Sequence, residues 1–265
     1  MNKPIGVFDS GIGGLTVVKA LREKLPKEDI VYFGDTARVP YGNKSQRTIE
    51  RFSLENVRFL LEHQVKMVVI ACNSSSAFAL QSLKATFRLP ILGVIESGAK
   101  RAVQVTENRK VGVIGTQATI TSKAYEVALE KFDPRIKVFT QSCPLFVPLV
   151  EEHWLYDEVT FEVAKRYLTS LKKGDIDTLI LGCTHYPLLS DVISRVMGDE
   201  IRLVDSATSI AIEVEKVLKD QELVDTRPRE KGEARYFVSD DPEKFMELAE
   251  KFLGEKIEQL EKAYV

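Results

Sequence analysis

Val68-Val69-Ile70-Ala71-Cys72-Asn73-Ser74 and Leu179-Ile180-Leu181-Gly182-Cys183-Thr184-His185 decide how this chain is read. Each is an apolar run of strand length that ends on a cysteine and opens onto small hydroxyl and amide side chains. A strand buried on both faces has such a continuous apolar run, and open α/β sheets present their reactive groups at the carboxyl ends of such strands. The two cysteines stand 111 positions apart, in matching places of two similar stretches. One cysteine so placed suggests a nucleophile. Two suggest chemistry that needs a thiol on each side of one substrate atom.

The surrounding chain alternates apolar strands with amphipathic helices. Strands are expected at Ile5–Asp9, Ile30–Phe33, Met67–Ala71, Ile91–Ile95, Lys110–Gly115, Ile136–Gln141, Thr178–Gly182 and Ile201–Asp205. Helices are expected at Gly14–Leu25, Ser45–His63, Ser75–Phe87, Ser122–Phe132, Asp157–Lys172 and Pro187–Met197. That alternation predicts an α/β protein with parallel-rich sheets flanked by helices. Ile5-Gly6-Val7-Phe8-Asp9-Ser10 parallels Val111-Gly112-Val113-Ile114-Gly115-Thr116, and each cysteine is followed by a helix and a further strand. Two pseudo-symmetric domains are therefore expected. The first would comprise residues 1–97 plus 208–265, and the second residues 98–207. The tail is mostly charged and helical, with an apolar run at Arg235–Val238 that would complete the first sheet. Two such domains facing each other would enclose a cleft with one cysteine on each wall.

The 265 residues are 44% hydrophobic and 29% charged, enough for a full core under a solvated surface. A net charge of −2 without a cluster of basic and aromatic residues argues against nucleic acid as a partner. No apolar run reaches membrane-spanning length and no signal-peptide profile opens the chain, so a cytoplasmic protein is expected. Three cysteines, an odd number, fit a reducing compartment rather than a disulfide framework.

Other residues join the two cysteines. His185, two positions past Cys183, is placed to meet a bound carboxylate or help move a proton, or else to tie down its own loop. Asp9-Ser10-Gly11-Ile12-Gly13-Gly14 is a glycine-rich turn after a strand. It lacks both the Walker ending and the dinucleotide spacing, so a phosphate loop is weakly supported. Its carboxylate could instead hold an ammonium group or tune a neighbouring thiol, and Glu151 could play the corresponding part in the second half. Either acid could equally be a solvated charge at a helix start. Each cysteine, taken singly, could be a small buried hydrophobe. Cys143, before Pro144, lacks the strand-end setting and is expected to be structural, with His63 and His153 as bystanders. No C-x-x-C pair or His-x-x-x-His helix is present, so no metal is expected. No lysine stands where a pyridoxal enzyme would need one.

Gly6-Val7-Phe8-Asp9-Ser10-Gly11-Ile12-Gly13-Gly14-Leu15-Thr16, Asp35-Thr36-Ala37-Arg38-Val39-Pro40-Tyr41-Gly42, Ala71-Cys72-Asn73, Gly115-Thr116 and Leu181-Gly182-Cys183-Thr184-His185-Tyr186-Pro187 together resemble the glutamate racemases. These form a branch of the cofactor-independent aspartate/glutamate racemase family, and the resemblance covers nearly the whole chain. It implies two pseudo-symmetric α/β domains with the active site between them, no cofactor, and L/D-glutamate as the small-molecule substrate. It implies Cys72 and Cys183 as two bases, with Asp9 assisting the first and Glu151 with His185 the second. It implies substrate contacts from Asp9, Ser10, Tyr41, Gly42, Asn73, Ser74, Thr184 and His185, with Thr116 and Thr119 as further contacts and Asp35 as a further acid. D-glutamate for peptidoglycan synthesis and a homodimer are implied as well. One departure is Ser74-Ser75-Ser76, where the family has threonine and then a small residue. Ser74 keeps the hydroxyl and loses a methyl. The chain begins at its first strand, so activation by a cell-wall precursor through an N-terminal extension is not expected.

Racemisation removes a proton from one face of an α-carbon and returns one to the other, which two bases on opposite walls achieve without moving. The rivals are an aspartate or other amino-acid racemase of the same group, a non-catalytic two-domain clamp for a small acid, and a Cys-His hydrolase. The last would leave one of the two cysteines unexplained.

Overall fold

The computed structural model describes residues 3–257 and 259–265. Residues 1, 2 and 258, which the expected first domain includes, lie outside the described residues. The strands are β1 (Ile5–Asp9), β2 (Ile30–Gly34), β3 (Met67–Ile70), β4 (Ile91–Gly93), β5 (Lys110–Gly115), β6 (Lys137–Ser142), β7 (Thr178–Gly182), β8 (Arg202–Asp205), β9 (Ala234–Val238) and β10 (Leu260–Lys262). The helices are α1 (Leu15–Lys24), α2 (Gln46–Glu62), α3 (Asn73–Phe78), α4 (Leu80–Thr86), α5 (Val94–Val105), α6 (Gln117–Thr121), α7 (Ala124–Phe132), α8 (Phe146–Glu151), α9 (Glu158–Lys172), α10 (Ser190–Met197), α11 (Ser206–Asp220) and α12 (Pro242–Leu253).

The strands form two sheets, ordered β10-β9-β2-β1-β3-β4 and β6-β5-β7-β8, and every strand pairing among the described residues is parallel. The order β2-β1-β3-β4 in the first sheet reappears as β6-β5-β7-β8 in the second, which is the repeat seen in the sequence. Burial explains the composition: β1, β2, β3 and β7 are buried along their whole length, whereas the edge strands β6 and β8 are partly exposed. In both sheets the chain leaves the first strand to one side and returns on the other. The gap between β1 and β3, and that between β5 and β7, are therefore topological switch points, where open α/β sheets bind ligands.

Several expected boundaries move. Strand β4 stops at Gly93 rather than Ile95, because its neighbour β3 ends at Ile70, opposite Gly93, and the Val94 N–H goes to Ser76 Oγ at 3.2 Å. The helix expected from Ser75 begins at Asn73 with Cys72 as its cap, and breaks at Ala79 into α3 and α4. The helix expected at Ser122–Phe132 starts two residues later, as α7, because Lys123 at φ 56° separates it from the short α6 that precedes it. A 3₁₀ turn, Tyr186–Leu189, precedes α10. The tail supplies β9 as its apolar run suggested, and adds β10, which is too short and too polar to stand out in the sequence.

The domain boundaries drawn at 97/98 and 207/208 fall within α5 and α11, the two helices that carry the chain between the sheets. One contiguous apolar cluster runs from Val7 and Val18 through Ile210 and Val214 to Phe146 and Leu181, so the two halves share a core. Such a shared core packs side chains of the two sheets against one another.

Candidate active site

Asp9 ends β1 and Cys72 follows β3 at the first switch point, and Thr116 and Cys183 follow β5 and β7 at the second. All four are buried, the two thiols at 5% and 7% exposure for Cys72 and Cys183 respectively.

The Asp9 carboxylate accepts backbone N–H groups from Gly11 (3.1 Å) and Gly14 (3.0 Å), both through Oδ2. The glycine-rich turn thus spends those donors on its own aspartate, which disposes of the phosphate-loop reading. Tyr32, which the sequence reading passed over, fixes the turn by donating to the Gly11 carbonyl at 2.6 Å. Burial raises the Asp9 pKa from the usual carboxylate value; the charge of His185 and the N–H groups of Gly14, Gly11 and Ser10 act against the rise. The turn also presses on the opposite wall. A Cβ on Gly13 would lie 2.3 Å from Thr184 Oγ1 and 2.6 Å from His185 Nδ1, so only glycine allows the approach. Thr184 Oγ1 donates to Asp9 Oδ1 across this contact at a long 3.5 Å.

On the first wall Cys72 caps α3. Burial pushes its thiol up to about 12, with the nearby Asp9 charge adding to the effect and the Ser75 backbone N–H opposing it. Ser74 Oγ lies 3.0 Å from Thr116 Oγ1 and 3.4 Å from Thr119 Oγ1, and those two threonine hydroxyls are 3.1 Å apart. A buried cluster of three hydroxyls therefore spans the two halves. Thr116 also caps α6 by accepting the Thr119 N–H.

On the second wall Cys183 Sγ lies 3.8 Å from His185 Nδ1, and His185 Nε2 lies 3.1 Å from Glu151 Oε1. Glu151 is the last residue of α8, which brings it beside the β7 loop. Burial alone would lower the His185 pKa, but the hydrogen bonds to Cys183 and Glu151 prevail and hold it up to about 10. The two thiols thus differ in setting: a carboxylate acts on one, and an imidazole on the other.

Tyr41 and Gly42 reach the site from a 3₁₀ turn, Tyr41–Asn43. A Cβ on Gly42 would lie 2.5 Å from Thr116 Cβ, which places this turn against the second half. The Tyr41 hydroxyl donates to Asp35 and accepts from Asn56 Nδ2 at 3.1 Å. Asp35 also accepts from Arg38 Nε at 2.6 Å and Ser239 Oγ at 2.9 Å. Both Asp35 oxygens are so engaged, and the carboxylate ties the Tyr41 turn to Arg38 and Ser239.

Of the residues set aside, Cys143 is buried with its thiol on the Gln141 carbonyl at 3.7 Å, and His63 stacks between Phe59 and Phe237. The sequence reading missed Tyr125 and Ser206. The Tyr125 hydroxyl donates to Asn73 Oδ1 at 2.7 Å and lies 3.1 Å from Ser206 Oγ. Nothing in its helical, partly apolar stretch distinguished Tyr125 from a core residue.

This geometry offers a buried thiol at the switch point of each sheet, a cluster of hydroxyls shared by the two halves, and a different charged neighbour for each thiol. The model of the Asp/Glu/Hydantoin racemase family matches residues 5–214. A glutamate racemase from Geobacter metallireducens is 51% identical over 256 residues, covering 96% of this chain and 94% of that protein. The crystal structure of a glutamate racemase isoform from Bacillus anthracis superposes with a TM-score of 0.96 at 38% identity, covering 99% of this chain and 98% of the other. That of the Francisella tularensis glutamate racemase in complex with D-glutamate gives 0.92 at 40% identity, covering 99% and 97%. From the matched family model and these full-length likenesses, the chain belongs to the Asp/Glu/Hydantoin racemase family.

Proposed function

We propose that this protein interconverts L- and D-glutamate without a cofactor, using Cys72 and Cys183 as paired bases. The observation that carries the reading is the placement of the two cysteines at equivalent strand ends, each at the switch point of its own sheet. The thiolate of one takes the α-proton as the thiol of the other gives its proton to the opposite face. One proton leaves the carbon and one arrives, and the two sulfurs exchange protonation states. The reverse reaction exchanges their roles, so the two ionisations belong to the pair.

An α-hydrogen is weakly acidic, and the carboxylate must be stabilised as charge builds on it. We assign that work to Asn73 and Ser74 on one side and to Thr184 and His185 on the other. Ser10, Tyr41, Gly42, Thr116 and Thr119 complete the substrate shell. Asp9 serves Cys72, and Glu151 acts through His185 on Cys183. The substrate choice is supported by the likeness to proteins named glutamate racemase along nearly the full chain. The same reading assigns the active-site walls to residues 1–97 with 208–265 and to residues 98–207. It makes the protein a cytoplasmic homodimer that supplies D-glutamate for peptidoglycan. Among the described residues no helix is long and apolar enough to cross a membrane.

The test is solvent deuterium incorporation into L- and D-glutamate, without added cofactor, for wild type, Cys72→Ser and Cys183→Ser. Racemisation with exchange in wild type, lost in each variant, supports the two-base reading. No exchange on glutamate but exchange on aspartate would move the substrate assignment. Ligand binding without any exchange would leave a non-catalytic clamp.

A further inference from the structure

Asn73 follows Cys72 directly and is buried, yet its orientation is set from the other half of the molecule. The Tyr125 hydroxyl, on α7, donates to Asn73 Oδ1 at 2.7 Å, and Ser206 Oγ lies 3.1 Å from the same phenol oxygen. A phenol has one proton. With that proton given to Asn73, the Ser206 hydroxyl is the donor in the second bond. A chain of hydrogen bonds therefore runs from Ser206 through Tyr125 to Asn73, and such chains strengthen their members. Burial raises the Tyr125 pKa, and the nearby Asp205 and Cys183 raise it further while the Ser206 bond opposes them, so the phenol stays a donor throughout the working pH range. Tyr125 is 1% exposed, and a Cβ on Gly182 would stand 3.1 Å from its ring, so the ring is wedged below the Cys183 loop.

A carboxamide has a donor end and an acceptor end of nearly equal shape, and nothing intrinsic chooses between its two flipped orientations. Only the donor end can bind a carboxylate. Here the oxygen is taken by Tyr125, and among the described residues the Asn73 amide nitrogen has no protein acceptor. We propose that Tyr125 is a positioning residue: it fixes the Asn73 carboxamide so that its N–H groups are presented to the substrate carboxylate. The inference rests on the racemase reading of the cleft and deepens it, because it lets one half of the protein set the donor geometry beside the cysteine of the other. Ser206 supports Tyr125 from the point where the chain leaves the second sheet.

Two measurements test it. The first is a double-mutant cycle on glutamate racemisation with Tyr125→Phe and Asn73→Ala. Tyr125→Phe alone lowers kcat/KM about tenfold in both directions, the size expected of one buried hydrogen bond. In the Asn73→Ala background it changes kcat/KM less than about twofold, since no carboxamide remains to orient. Additive losses, or an unchanged kcat/KM in Tyr125→Phe, overturn the proposal, because a merely structural tyrosine would act regardless of Asn73. The second measurement needs no turnover. In ¹⁵N-labelled protein the two Asn73 side-chain amide proton signals, assigned by their loss in Asn73→Ala, are shifted by the fixed carboxamide setting, and Tyr125→Phe moves both toward their free-chain positions or broadens them as the carboxamide flips about Cβ–Cγ. Signals unchanged by Tyr125→Phe overturn the positioning role. If wild type fails to racemise glutamate, the substrate reading falls, and the amide signals still decide whether Tyr125 holds Asn73.

Discussion

The Sγ of Cys183 and the Nδ1 of His185 stand 3.8 Å apart on one short loop, and the far side of the ring is tied to Glu151. Cys72 has Ser75 rather than an imidazole as its hydrogen-bond partner among the described residues, and burial and the Asp9 charge hold its thiol up to about 12. A cation beside a sulfur favours the thiolate, and a carboxylate near it favours the thiol. The two thiols are therefore set asymmetrically: burial and the Asp9 charge keep Cys72 a thiol, whereas Cys183 has an imidazole at its sulfur. Iodoacetamide at neutral pH should alkylate Cys183 at least about tenfold faster than Cys72, with Cys143 slower still. Peptide mapping by mass spectrometry reads the order, and D-glutamate should protect Cys183. Equal labelling of Cys72 and Cys183 would sink the asymmetry.

His185 also makes stability depend on pH in a stated direction. Its pKa rises from 6.5 in the unfolded chain to about 10 in the fold. Between those values the native state binds more protons than the unfolded state. Its contribution is therefore fully present below pH 6.5 and is lost as pH rises through 10. His185→Asn removes the titration. From pH 6.5 to 10 the wild-type Tm should fall about 3 °C or more beyond the fall seen in His185→Asn, since about 1 kcal/mol moves Tm by a few degrees at this size. Parallel Tm curves for the two proteins would show that the imidazolium is not the form the fold selects.

The α/β alternation and the repeated strand-to-cysteine units were legible because buried parallel strands are continuous apolar runs bounded by small polar residues. The strand-end residues Asp9, Cys72 and Cys183 follow from that reading, since a strand end fixes where its next side chain goes, whereas Thr116 entered only through the family resemblance. What stayed hidden was set by partners far along the chain. The partners of Asp35 were not legible, because Arg38, Tyr41 and Ser239 converge on it and the last lies more than two hundred positions away. Tyr125 looked like core because its one polar atom meets Asn73 and Ser206, which no local pattern announces. Gly13 was legible as a turn residue, but the reason it must be glycine lies in Thr184 and His185 of the other half.

Ser74, where the family resemblance leads one to expect threonine, has its hydroxyl in a cluster drawn from both halves. Ser74→Ala removes one donor and leaves Thr116 and Thr119 with one partner fewer in a buried place. Loss of a donor aimed at developing charge costs ~10²-fold in favourable cases. A fall in kcat/KM of about 10- to 100-fold is expected, with Tm changed by no more than a few degrees. Ser74→Thr keeps the hydroxyl and should stay within about threefold of wild type. Steady-state kinetics in both directions measure this, and a harmless Ser74→Ala would remove the cluster from the reaction.

The contact of Gly13 with Thr184 and His185 gives the most demanding prediction, because it ties cleft closure to a single missing atom. An alanine Cβ would stand 2.3 Å from Thr184 Oγ1 and 2.6 Å from His185 Nδ1, far inside van der Waals contact. The Asp9 turn cannot retreat freely, since Gly11 and Gly14 are bound to the Asp9 carboxylate and Gly11 to Tyr32. The strain therefore falls on the second wall, displacing His185 from Cys183 or holding the two walls apart. Overpacking of this kind costs about 1–3 kcal/mol, so the fold survives while the site does not. Gly13→Ala should lose at least about 100-fold in kcat, as small misplacements of catalytic groups do. The stabilisation that saturating D-glutamate gives wild type, read as a rise in Tm, should largely disappear in the variant. A variant with normal turnover and a normal ligand-induced rise would mean that the two walls have more room between them than this packing allows.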